Sequence, residues 1–352
     1  MSPSRAFVRA ALAAAATAAT LGCLSGPGPV ETSDGRYLMG TVLEITLYAS
    51  DAATGRAALE SAFARVRELE QRMTRFEAGS EVRRLERHAG GPLLPVDPDL
   101  ARVLRRARAA HGLTRGAFDV TVGPLVDLWV RAAQRNRVPS PAELSLARAR
   151  VGARDLRVDA DSRAGLARAG MSLDLGGIAK GYALDSVASE LRAAGIQNAL
   201  ANFGRSSLLA LGSPPEGGAW RVWLPGSGET PGRVVLLRNQ ALSVSGSLGQ
   251  ASVIAGRRYG HIIDPRDGRP IQVPLRAAVI APEATLAEVL STALPILGSR
   301  DGAPLLASLP DVDGELLSVA GPVFATPGWS SRLDAGPARS PDAQGSGVES
   351  HP

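Results

Sequence analysis

A chain of 352 residues, 45% of them hydrophobic and 21% charged, is long enough to bury a substantial globular core. The net charge of +5 and the pI near 10.1 arise from arginines dispersed among acids, and the lack of a basic stripe excludes nucleic acid as a partner. A single cysteine, Cys23, excludes disulfides within the chain.

The N-terminus runs from Arg5 and Arg9 through the alanine-rich Ala10–Ala19 to Leu21-Gly22-Cys23, which is the order of a secretion signal. Residues 1–23 are expected to be a signal peptide with a lipobox-like cleavage site that leaves Cys23 first and lipidated, so that the chain is exported and tethered to a bacterial membrane. No later segment supplies the roughly 20 uninterrupted apolar residues of a spanning helix. From their Gly, Pro and Ser content, residues 24–36 read as a flexible tether and 333–352 as a disordered tail, leaving 37–332 as the folded body.

Tyr37–Tyr48 alternates and is rich in β-formers, which predicts one strand. Asp51–Met73 then places Leu59, Ala62, Phe63, Val66, Leu69 and Met73 on one helical stripe. Further helices are predicted over Pro98–His111, Pro141–Val151, Gly177–Ala194 and Ala284–Leu297, with a Pro-started helix after Gly123. Strands are predicted over Asn198–Leu211, Ala219–Leu224, Val234–Leu237, Ala241–Ser245, Ala251–Ile263 and Ala277–Ile280. Strands gathered in the second half predict an α+β fold with mainly antiparallel sheets and packed helices, not a doubly wound parallel sheet.

Three segments carry chemistry. Leu173–Tyr182 is expected to pass from a short strand through Gly176-Gly177 into a helix, where backbone N–H groups and the helix dipole favour a phosphate. It contains Lys180, the only lysine, a compact point charge in a chain that otherwise uses the planar fork of arginine. Glu288 and Thr292 lie four apart on the face of their helix away from the apolar stripe, so their oxygens can serve a hard cation such as Mg²⁺. His261 enters the turn Asp264–Gly268 and is a candidate proton shuttle or phosphate partner.

Met39-Gly40-Thr41, Gly116–Trp129, Leu173–Asp185, Asn202–Gly204, Ser245-Gly246, His261–Pro270 and Leu286–Gly298, in this order, resemble the ApbE family, the FAD:protein FMN transferases. The resemblance implies a two-lobed single catalytic body that binds FAD and Mg²⁺ and moves FMN onto a threonine or serine hydroxyl of an acceptor flavoprotein, an electron-transfer subunit, releasing AMP. It assigns flavin contacts to Met39, Phe76, Ala117, Phe118, Asp119, Gly176, Tyr182 and Ile262. It assigns Mg²⁺ to the Ala179 carbonyl, Glu288, Ser291 and Thr292, with Lys180 a supporting charge near the diphosphate; beside these, His261 is expected to be the catalytic residue that assists proton removal from the acceptor hydroxyl or contacts the transferring phosphate. Against the family pattern, Glu288 replaces a usual aspartate, Arg205-Ser206 a glycine and aspartate, Asp267 a threonine, Val244 a threonine or small residue, and Glu86 an asparagine. Two other activities fit the same residues: a metal-dependent FAD diphosphatase, and a non-catalytic exported flavin-binding lipoprotein.

Overall fold

The computed structural model describes residues 28–335 apart from Glu229. The expected signal peptide with Cys23, and the tail from residue 336 on, lie outside the described residues. The chain opens on two strands where one is predicted: β1 (Val30–Leu38) and β2 (Thr41–Ala49) form a hairpin in register from Val30↔Ala49 to Leu38↔Thr41. Residues 30–36, expected to belong to a tether, are thus part of a paired strand. β1 is an edge strand with a mostly polar, exposed sequence, which a search for apolar content passes over.

Helix α1 (Ala52–Met73) starts at Asp51, whose carboxylate accepts the N–H groups of Ala53 and Thr54, and it buries the whole predicted stripe. There follow α2 (Glu81–Arg87), β3 (Leu94–Pro95), α3 (Pro98–Leu113), α4 (Gly123–Gln134), α5 (Pro141–Arg148), β4 (Leu156–Val158) and β5 (Arg163–Leu166). The three short strands pair in the order β3-β5-β4. They and α2 are too short to show periodicity, and none is predicted.

The second half holds α6 (Ala179–Ala193), β6 (Asn198–Phe203), β7 (Ser207–Leu211), β8 (Trp220–Leu224), β9 (Arg233–Leu237), β10 (Gln240–Gly246), β11 (Ser252–Ile254), β12 (Arg257–Tyr259), β13 (Leu275–Ala281), α7 (Ala284–Ala307), β14 (Asp313–Ser318) and β15 (Gly321–Ala325). Two predicted strands are hairpins instead: Asn198–Leu211 turns at Gly204-Arg205, and Ala251–Ile263 at Ala255-Gly256. Like Met39-Gly40, each turn is a pair of positive-φ residues. None has the Asn-Gly or Asp-Gly signature of such turns, so alternation alone reads straight through them.

An eight-stranded, wholly antiparallel sheet in the order β1-β2-β6-β7-β10-β13-β14-β15 is the frame. Its central strands are buried on both faces. On β13, Ala277, Val279 and Ala281 join the core beneath α1, α6 and α7, while Ala278 and Ile280 join a second core under the β8–β9 hairpin and Trp329. Leu333 bridges to Val235 and the Asp334 N–H donates to the Val234 carbonyl, so the body runs past the predicted end at Arg332. The mixed α+β class with antiparallel sheets is the one the clustered strands predict.

Candidate active site

The site is built on the seam between α6 and α7. A Cβ on Gly181 would stand 2.4 Å from the Ala284 carbonyl oxygen, so only glycine lets the helices come this close. Two residues from α6, a Cβ on Gly177 would lie 2.9 Å from Phe118 Cε2 and 3.2 Å from Thr292 Oγ1. The glycines of this segment bring three distant motifs into contact. At the far end of the seam, Asp185 accepts the N–H groups of Ala284 and Thr285, capping α7 from the neighbouring helix.

A cleft of about 770 Å³, within the size range of cofactor sites, opens beside the seam. Of the expected site residues, Ala117, Phe118, Asp119, Gly176, Lys180, His261, Ile262, Glu288 and Thr292 line it. Met39, Phe76, Ala179, Tyr182 and Ser291 do not. The Tyr182 ring is buried and its hydroxyl is bonded to Asp99 at 2.7 Å and Arg102 at 2.8 Å, so the side chain fastens α6 to α3. Met39 occupies the first hairpin turn, its N–H donated to Glu70. Phe76 is 90% exposed, next to Arg75, which holds Asp174 of the cleft wall at 2.8 Å. The Ser291 hydroxyl is buried against those of Ser243 and Ser245, which do line the cleft.

The start of α6 has no side-chain cap, yet its surroundings are not left to solvent. Glu288, 3% exposed, places Oε1 2.6 Å from Lys180 Nζ and accepts the Gly181 N–H on Oε2 at 2.6 Å. Asp174 accepts the Gly176 N–H at 2.8 Å. The loop expected to cradle phosphate therefore turns two of its N–H groups to the chain's own carboxylates. The same Lys180 charge, after burial itself, pushes the His261 pKa below its ordinary value, with Asp174 pulling the other way. His261 is held in a segment pinned to α4, where Trp129 Nε1 donates to the Gly268 carbonyl at 2.9 Å.

Asp119 is buried in the wall. Burial opposes its charge, but the neighbouring His111 and the bonds from the Thr121 hydroxyl and N–H keep its pKa below the carboxylate norm; its other oxygen accepts the Ala153 N–H. Asp119 in turn raises His111, whose Nδ1 lies 3.3 Å away. Glu86 accepts the Leu173 N–H at 2.8 Å and so anchors the start of the glycine segment. Arg205 takes the positive-φ turn position and Ser206 lines the cleft. Asp267 accepts the Arg269 N–H, stiffening the turn after His261.

Sequence reasoning does not pick out Asp174, Ser243 or Arg75. Ser243 had a signal: it repeats the strand face of Ser245 within an otherwise apolar run. Arg75 had none, since an arginine after a helix is ordinary.

A magnesium ion fits the donors. Among the described residues no three His, Cys, Asp or Glu side chains cluster, which argues against a site made of carboxylates and imidazoles alone. Mg²⁺ uses one or two carboxylates together with substrate phosphates, and one carboxylate, Glu288, stands with the Thr292 hydroxyl on the cleft wall.

A sequence model of the ApbE family matches residues 39–314. The chain is 32% identical over 302 residues to an FAD:protein FMN transferase of Treponema pallidum, covering 80% of this chain and 83% of that protein. It is 31% identical over 274 residues to one of Haemophilus influenzae, covering 74% and 79%. The crystal structure of the Pseudomonas stutzeri flavinyl transferase ApbE in its apo form superposes with a TM-score of 0.76 at 27% identity, covering 88% of this chain and 98% of that one. With the motifs in order and the fold matched, this chain belongs to the ApbE family.

Proposed function

We propose that this protein is an FAD:protein FMN transferase, moving the FMN half of FAD onto a threonine or serine hydroxyl of a partner flavoprotein with release of AMP. The observation that carries the reading is the convergence of His261, Lys180, Glu288 and Thr292 on one cleft whose wall includes Ala117, Phe118 and Asp119. In the transfer, the acceptor oxygen bonds to the FMN phosphorus, the bond from that phosphorus to the AMP oxygen breaks, and the acceptor proton leaves to His261. Such a reaction asks for alignment and charge stabilisation more than covalent help. The depressed pKa keeps the His261 ring neutral and able to take the proton. Lys180 provides positive charge for the diphosphate. Phe76 offers a free aromatic face for the flavin.

Glu288 and Thr292, with the Ala179 carbonyl and Ser291 behind them, would hold Mg²⁺, which when bound would neutralise the diphosphate. The acceptor is an electron-transfer subunit outside the cytoplasm, met by an enzyme exported and lipid-anchored through Cys23. No helix among the described residues is long and apolar enough to cross a membrane.

Incubation with FAD, Mg²⁺ and a protein bearing the acceptor threonine tests the activity. A fluorescent band on a denaturing gel with the mass of an FMN ester is expected. Free FMN and AMP with unlabelled acceptor would establish a diphosphatase instead. Cys23→Ala is expected to move the protein from the membrane to the soluble fraction.

A further inference from the structure

We infer that Lys180 is a built-in competitor for the metal: its ammonium occupies Glu288 until a diphosphate draws it away, so that metal and FAD load the site together. The inference rests on the reading of Glu288 as a metal ligand and adds an order to the assembly.

Glu288 is almost wholly buried, and both its oxygens are committed, one to Lys180 Nζ and one to the Gly181 N–H, each at 2.6 Å. A buried carboxylate needs such partners, because an unpaired charge there is costly. The two bonds differ in kind. The Gly181 N–H is fixed by the helix, whereas the Lys180 ammonium is the end of a flexible stem whose side chain keeps 23% of its surface exposed in the cleft. Lys180 can leave; Gly181 cannot.

Charge decides when it leaves. The pair Glu288–Lys180 is neutral. A divalent ion arriving alone must either share Glu288 with an ammonium at close range or expel that ammonium to a place with no counter-charge. Asp174, the other carboxylate at this loop, is already paired with Arg75. A dianionic diphosphate arriving with the metal removes the conflict, since Lys180 moves to a phosphate oxygen and Glu288 to the metal, and the cluster is neutral again. Glu288 reaches Lys180 with one oxygen while taking the Gly181 N–H with the other.

The test is metal binding, read by electron paramagnetic resonance with Mn²⁺ as the probe, with and without FAD and without acceptor. In the unaltered protein FAD is expected to strengthen Mn²⁺ binding by at least about tenfold, within the span of ordinary coupling between sites. In Lys180→Met, Mn²⁺ binding without FAD is expected to be about tenfold tighter than in the unaltered protein, and the effect of FAD to shrink correspondingly. Glu288→Asp, whose shorter arm draws back from Lys180, is a second route to the same release and should also tighten FAD-free binding. Equal FAD-free affinities in the unaltered protein and in whichever variant folds would overturn the inference while leaving the metal site standing. No Mn²⁺ binding by any form, even with FAD, would overturn the metal reading itself and the competition with it.

Discussion

Two carboxylates join α6 to α7, and they differ in what they hold. Asp185 accepts two backbone N–H groups and the Thr285 hydroxyl at the start of α7, with Arg106 alongside. Its side chain keeps 21% of its surface in solvent. Glu288 accepts one backbone N–H and one mobile ammonium, at the cleft, with its side chain only 4% exposed. The first is a cap supplied by a neighbour, with partners that stay in place. The second is buried, depends on a partner that can move, and faces the ligand. A carboxylate's partners and water access, more than its position on a helix, separate a structural bridge from a working one.

The sharpest way to break that contrast is to remove the oxygens at the cleft end. Glu288→Ala with Thr292→Ala is expected to lower FMN transfer about 10³-fold or more, measured in single turnover with circular dichroism confirming the fold. Transfer near the normal rate would place the chemistry elsewhere. His261→Ala comes next, with an expected loss of about 10²–10⁴-fold at unchanged FAD affinity. Since the neutral ring is the working form and its pKa lies below the ordinary 6.5, the unaltered rate should stay level through neutrality and fall only as pH drops through that depressed value. His261→Ala should lose this acid limb. A rate that already declines above 6.5 would contradict the assignment.

Much of this was legible from residue types and spacing. The α1 stripe, the helix after Gly176-Gly177 and the Glu288-Thr292 face stand where period and turn chemistry put them, whereas the short strand expected before Gly176 is absent, its run holding only an isolated bridge from Ser172 to Val122. The errors have physical causes. Positive-φ turns made of Met39-Gly40, Gly204-Arg205 and Ala255-Gly256 lack the usual side-chain signal, so three hairpins read as three strands. The partner of Tyr182 was not legible either: helix phase turns its ring inward to Asp99, and no sequence rule sees α3 waiting there. The Lys180–Glu288 bond spans the sheet-forming half of the chain, and pairs so distant carry no local signature.

The close seam itself can be strained. Gly181→Ala puts a methyl 2.4 Å from the Ala284 carbonyl, a backbone atom that cannot swing aside. The expected cost is about 1–3 kcal/mol of stability by overpacking, somewhat relieved by alanine's better helix propensity. Chemical denaturation measures it. Because Gly181 also holds Glu288, transfer should fall in the same variant; a stability loss with full activity would show that Glu288 does not depend on this contact.

Asp185→Ala is the mildest change and the one that tests the contrast most directly. Removing the carboxylate strips the first N–H groups of α7 of their acceptor, a lost cap that costs about 0.5–2 kcal/mol. Two features keep the cost small. Water already reaches Asp185 and can replace it, and Arg106 still holds Glu283 at 2.7 Å, so the helix start stays in place. Neither compensation exists at Glu288, where solvent is shut out. The expected result is a lower midpoint of unfolding with FMN transfer per folded molecule unchanged. If Asp185→Ala instead stops transfer without lowering the midpoint, the two carboxylates act as one unit, and the seam is a single working element from its cap to the cleft.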